Sequence, residues 1–312
     1  MGLTTERPDD LLRCPMRRRE FLSTVGGAAM AAAIGHPASA AGTADPFCFC
    51  VAADPHCNDG PGKGMEDLGT GADRLMRVFE HIGTLPAADR PDFLIIAGDL
   101  HLKGFLPLLP RFPLPVHVTA GNHESSVEDR KALRAAFPQD FVHDGKPADY
   151  YSFVHKGVRF VSPCTAGLGG EHIGTFTSEN IQPRGQCEWL EGVLSAPEAR
   201  TVLFTHIPAE RDGADREMHL GRNDSRWFND LVRRTRPEAA FFGHLHQPTA
   251  PYRLGGTEVW QVRSCCWNFN GAPIGFLHVR VGPSGLAVRE IITGAPLKSD
   301  PGGGSGPVSK QG

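Results

Sequence analysis

Five times along the middle of the chain, a short run of apolar residues stops abruptly at Asp, Asn or His. Residues 47–53 stop at Asp54, residues 92–98 stop at Asp99, and residues 116–120 run through Gly121 into Asn122 and His123. Residues 201–205 stop at His206, and residues 239–243 stop at His244. Short apolar runs without polar alternation predict strands buried on both faces. Between them, apolar positions recur at helical spacing over 73–82, 127–137, 186–194 and 225–234. Strands alternating with helices predict an α/β layered fold. The second half is richer in strand pattern, with a hairpin turning at His155-Lys156-Gly157 and late strands over 258–263, 275–281 and 286–291. No internal repeat or linker divides residues 41–296, which read as one domain.

The two ends read differently. Arg17-Arg18-Arg19-Glu20-Phe21-Leu22 precedes a weakly hydrophobic run from Val25 to Ile34, and Ala38-Ser39-Ala40 adds small residues after it. That order predicts a twin-arginine export signal over residues 1–40. The run is too short to cross roughly 30 Å of hydrocarbon, so no transmembrane segment is expected. The expected location is periplasmic or extracellular, reached through the twin-arginine export machinery. Residues 297–312 are rich in Gly, Ser and Pro and predict a disordered tail. A formal charge of −3 provides no basic stripe for a polyanion, so stable nucleic-acid binding is not expected. Cys14 falls in the leader. The remaining cysteines read mostly as buried small hydrophobes, although export permits disulfides of undefined pairing.

The polar stops carry the candidate chemistry. In order they are Asp54-Pro55-His56, Gly98-Asp99, Gly121-Asn122-His123-Glu124, Thr205-His206 and Gly243-His244-Leu245-His246. Loops beyond the carboxyl ends of strands in an open α/β sheet converge on the ligand site, so these clusters can meet in space. Carboxylate, imidazole and amide oxygen together suit Mn, Fe or Zn, whereas an all-oxygen set suits Mg or Ca. Such groups serve two ions if one carboxylate bridges them, and two ions about 3.5–4 Å apart can clamp a phosphate during in-line displacement. The glycine-rich stretch 58–71 predicts a loop at the rim, but no Gly-Lys-Ser/Thr closes it as a phosphate cradle. Segment 208–222, with Arg211, Arg216, His219 and Arg222, reads as a solvated loop, with an arginine fork to phosphate as the alternative. His101 reads as a surface or supporting residue. Trp260, Trp267 and Phe269 read as core packing at the ends of late strands, with base stacking as the alternative.

The five blocks together resemble the calcineurin-like metallophosphoesterase superfamily, whose pattern is D-x-H, G-D, G-N-H-[DE], H and G-H-x-H, over roughly residues 46–281. The resemblance implies a four-layer α/β/β/α sandwich holding two divalent or mixed-valence transition-metal ions. It implies that Asp54, His56 and His246 bind the first ion, that Asn122, His206 and His244 bind the second, and that Asp99 bridges them. It further implies that His123 contacts the phosphate and protonates the leaving oxygen, while Glu124 supports the loop. Gly98-Asp99-Leu100 followed by Gly104, and Gln186-Cys187-Glu188-Trp189-Leu190, are similar to stretches of bacterial cyclic-nucleotide phosphodiesterases within the superfamily. Leu102 stands where purple acid phosphatases carry a tyrosine, which disfavours that branch. The expected activity is hydrolysis of small phosphodiesters, cyclic nucleotides or organic diesters, by attack of a metal-bound hydroxide. A scavenging phosphomonoesterase is the main alternative, with a nuclease, a phosphoprotein phosphatase or a non-catalytic binding relative behind it.

Overall fold

The computed structural model describes residues 45–166, 171–196, 200–212, 214 and 216–296, so the leader over 1–40 and the tail over 297–312 lie outside the described residues. The apolar runs form strands that assemble into two sheets. The first sheet is built from β1 (Phe47–Ala52), β2 (Leu94–Ala97) and β3 (Val116–Thr119), with β4 (Val142–His143) and β5 (Lys146–Pro147) forming a separate small ribbon after them. The second sheet takes β6 (Tyr151–His155), β7 (Val158–Ser162), β8 (Arg200–Thr205), β9 (Ala239–Phe242), β10 (Tyr252–Leu254) and β11 (Thr257–Gln261). The chain then returns to the first sheet as β12 (Ile274–Gly282) and β13 (Gly285–Gly294), giving the orders β13-β12-β1-β2-β3 and β10-β11-β9-β8-β7-β6.

The sheets meet through alternate side chains, as the two-residue period of a strand requires. Phe49 of β1 meets Phe160 of β7 at 5.1 Å and Phe241 of β9 at 6.1 Å between ring centroids, which places those rings between the sheets. The intervening residues Val161, Leu203, Ala240 and Phe242 pack instead with Leu190, Leu194, Phe228, Leu231 and Val232. Those partners belong to α4 (Gln186–Ser195) and α5 (Arg222–Thr235), which cover the second sheet's outer face. Against the first sheet lie α1 (Gly71–Thr84), α2 (Leu102–Phe105) and α3 (Val127–Ala136). Helix α1 buries Arg74, Leu75, Val78, Phe79 and Ile82 at helical spacing. It starts where Thr70 and Asp73 cap each other's backbone N–H groups. The layers are therefore helix, sheet, sheet, helix, the expected sandwich.

Strand direction decides where the chemistry can sit. β1, β2 and β3 are mutually parallel, and β7, β8, β9 and β11 form a second parallel set. Their carboxyl ends release Asp54, Asp99, Asn122, His206 and His244 at one edge of the sandwich. Among the described residues, no helix is long and apolar enough to cross a membrane. All seven cysteines of the described residues are buried free thiols, in keeping with their reading as small hydrophobes.

Candidate metal centre

Seven side chains from five strand ends come together at that edge. Ligand-type atoms of Asp54, His56, Asp99 and His246 lie within 4.8 Å of one another, and so do those of Asp99, His206 and His244. Asp99 is common to both groups. Its Oδ2 lies 3.6 Å from His56 Nε2 and its Oδ1 lies 3.1 Å from His206 Nε2. Asn122 Oδ1 stands 3.1 Å from the same His206 nitrogen. Asp54 Oδ1 is 3.6 Å from His246 Nε2, and both its oxygens accept from the His244 backbone N–H, at 2.9 and 3.0 Å. A third group, His56, His101 and His123, shares His56 but adds no carboxylate.

The donor set fits bound cations. The second nitrogens of three rings face backbone carbonyls: His206 Nδ1 faces Ala97 O at 2.7 Å, His244 Nε2 faces His172 O at 3.0 Å, and His246 Nδ1 faces Trp267 O at 2.7 Å. A ring N–H donated to a carbonyl leaves the other nitrogen as a lone pair aimed inward. Those inward nitrogens crowd together, with His56 Nε2 and His246 Nε2 2.9 Å apart and His206 Nε2 and His244 Nδ1 3.2 Å apart. Lone pairs converging on two buried carboxylates make a cradle that a cation satisfies. Burial pushes His246 down to about 4 and His244 down to about 2, which keeps both rings neutral and able to ligate. Burial also lifts Asp54 to about 8. At His206, burial opposes the charged form, but the Asp99 carboxylate prevails and raises the ring to about 9, a measure of the negative field at the centre.

The backbone is held in an uncommon conformation to achieve this. Asp54, His56, Asp99, His244 and His246 all have positive φ, between 42° and 78°, as does His101 at 55°. Left-handed backbone at non-glycine residues is costly, and its concentration at one cluster points to function. Gly98 has φ +82°, and a Cβ there would fall 2.4 Å from His206 Nδ1. Gly98→Ala is therefore expected to destabilise the fold by roughly 2–3 kcal/mol. Chemical denaturation of the variant checks this, and an unchanged midpoint would show that the ring can yield.

The surrounding residues fall into place unevenly. Glu124 is fully buried, and its carboxylate accepts from the Gly121 and His101 backbone N–H groups at 3.0 and 2.9 Å, tying the loop after β3 to the loop after β2. His123 is the open member: its side chain is 37% exposed, and its Nε2 lies 3.9 Å from Asp99 Oδ2. His101 is half-buried, with its ring 4.6 Å from His56 and 4.5 Å from His123. Trp267 packs partly buried against Met65, Leu68 and Ile274, as the core-packing expectation has it, and it also reaches the site. Its ring stacks on His246 at 3.9 Å and 25°, and Phe269 meets it edge-on at 5.2 Å. The loop that carries Trp267 is hung on the site by Ser264 Oγ, which donates to the Asp54 carbonyl (3.0 Å) and accepts from the Cys266 and Trp267 N–H groups. Trp260 packs partly buried against the core, as expected. Arg211 lies over the Tyr252 ring at 5.1 Å, and Arg216 faces Glu210 at 3.6 Å, so two of the loop's basic residues have partners away from the centre.

The family described as calcineurin-like phosphoesterase matches residues 49–248, which contain all seven side chains and His123. A protein of Rhodopseudomonas palustris, named as a probable cyclic nucleotide phosphodiesterase, is 28% identical over 191 residues, covering 57% of this chain and 64% of the relative's length. Among solved structures, a dimetal phosphatase from Danio rerio superposes with a TM-score of 0.55 at 17% identity, over 78% of this chain and 99% of that one. The anchor of the inner membrane complex of Plasmodium superposes with a TM-score of 0.50 at 12% identity, over 80% and 85% of the two chains. At these identities the structural likenesses establish the fold alone, and a fold shared by a phosphatase and an anchor does not fix an activity.

Proposed function

The chain belongs to the calcineurin-like phosphoesterase family of metal-dependent phosphoester hydrolases, and from that premise we propose that it is an exported phosphodiesterase using two transition-metal ions. The observation that carries this reading is the position of Asp99, common to two buried donor groups. Asp54, His56 and His246 would hold one ion, and Asn122, His206 and His244 the other, with Asp99 between them. When bound, the ions supply Lewis acidity toward phosphoryl oxygens and lower the pKa of water. The chain's own residues do the rest. The backbone carbonyls fix three imidazole tautomers, Glu124 braces the two loops, and the Trp267 ring covers one face of His246. His123, partly exposed at the edge of the cluster, would protonate the leaving oxygen.

The diester preference is supported by the relative from Rhodopseudomonas palustris, and export by the twin-arginine pattern in the leader. The function is tested by depleting the mature enzyme of metal, reloading it with Mn²⁺, and comparing bis(p-nitrophenyl) phosphate with p-nitrophenyl phosphate. Faster Mn-dependent cleavage of the diester is expected. Faster cleavage of the monoester would replace the reading with a phosphatase, and absence of turnover on both would overturn hydrolysis of small esters.

A further inference from the structure

Three of the four site histidines are fixed by backbone carbonyls, and His56 is the exception. Its Nδ1 faces no carbonyl but the Nε2 of His101, 3.1 Å away. On its other side, His101 turns Nδ1 toward Asp59 Oδ1 at 3.4 Å. The three side chains form a line that starts at the metal centre and ends at a carboxylate on the rim. His101 is held there by its backbone: its N–H donates to Glu124, its carbonyl accepts from Gly104 and Phe105, and its φ is +55°. The Asp59 backbone is fixed too, with its N–H on the His56 carbonyl and its own carbonyl accepting from Gly71.

We propose that Asp59 and His101 are positioning residues that together set the tautomer of His56 and thereby the affinity of the first ion. The proton accounting runs in one direction only. Asp59, as carboxylate, accepts the Nδ1–H of His101, which leaves His101 Nε2 with a lone pair. That lone pair accepts the Nδ1–H of His56, which leaves His56 Nε2 free for the ion. A carboxylate behind a ligating histidine is a general means of orienting it and raising its basicity. Here the carboxylate acts through a second imidazole. This places a side-chain relay behind one histidine of the first ion, His56, whereas His246 and both histidines of the second ion are held by backbone carbonyls.

The inference rests on the two-ion reading, but its test counts bound Mn²⁺ rather than turnover. Wild type is expected to bind two Mn²⁺ per chain in equilibrium titration of the metal-depleted protein. His101→Phe, which keeps the ring and removes the acceptor, should weaken one of the two sites by about 10–100-fold and leave the other within about twofold. Asp59→Ala should weaken the same site by a smaller factor, because the side chain is 21% exposed, so water can replace its carboxylate, and the backbone bonds around it survive. His101→Gln, whose amide oxygen can accept from His56, should recover most of the loss. Both sites remaining within about twofold of wild type in His101→Phe and in Asp59→Ala would overturn the relay, as would an equal loss at both sites. Fewer than two Mn²⁺ in wild type would overturn the two-ion reading itself, and the relay with it.

Discussion

Asp99→Asn is expected to lower kcat/KM by about three orders of magnitude, which corresponds to roughly 4 kcal/mol of transition-state stabilisation. The substitution preserves shape and removes one charge. In the native arrangement, Oδ1 faces His206 and accepts the His123 backbone N–H (3.2 Å), while Oδ2 faces His56 and the His123 ring. A carboxylate can serve both sides because each oxygen is an acceptor. An amide offers one oxygen and one NH₂ group, so whichever way it turns, donor hydrogens point into one of the two donor sets. The countercharge for both cations falls at the same time. Bound metal should therefore drop below two ions per chain together with the rate, read by elemental analysis of the same preparation used for kinetics. Full turnover with both ions retained would remove Asp99 from the bridging position.

The parts of this centre that could be read from sequence are those fixed by strand ends. Each of the five apolar runs became a parallel strand ending within three residues of its polar stop, because an unbroken apolar run is the local signature of a strand buried on both faces. The residues that were harder to read arrive by other routes. Trp267 follows β11, and only the knowledge that β11 runs parallel to β9 places its carboxyl end beside His246. Strand direction is a property of distant pairing, and the local pattern over 258–263 is the same whichever way the strand runs. Asp59 was hidden for a similar reason. It sits in a glycine-rich loop with no periodicity, and its meaning comes from His101, 42 positions along the chain, whose left-handed backbone turns the ring back toward His56. A polar pair Asn58-Asp59 one residue beyond a ligating block, with an extra histidine directly after Gly98-Asp99-Leu100, was the available signal. The four-residue helix α2 and the short strand β10 lacked the length for any periodicity to show.

His123→Ala is expected to separate leaving-group assistance from metal retention. The ring is 37% exposed and lies outside the two donor groups that share Asp99, so bound metal should remain at two ions per chain. On the proposed reading, what the variant loses is a proton source at the mouth of the site. Burial lowers the pKa of His123 and Asp99 opposes that shift, while an arriving phosphate brings further negative charge that favours the protonated ring. A positioned acid contributes about 10²–10⁴-fold when the departing oxygen is a poorly stabilised alkoxide, and far less when the leaving group stabilises its own charge. Cleavage of an alkyl or nucleoside cyclic diester should therefore fall by about 10²–10⁴-fold, and cleavage of bis(p-nitrophenyl) phosphate by about tenfold. The two substrates are compared on one metal-loaded preparation, so incomplete folding would lower both rates equally. Equal losses on both substrates with metal intact would mean that His123 orients the phosphate and moves no proton. A fall in bound metal would instead make it a ligand, and the assignment of the open histidine would have to pass to another residue at the rim.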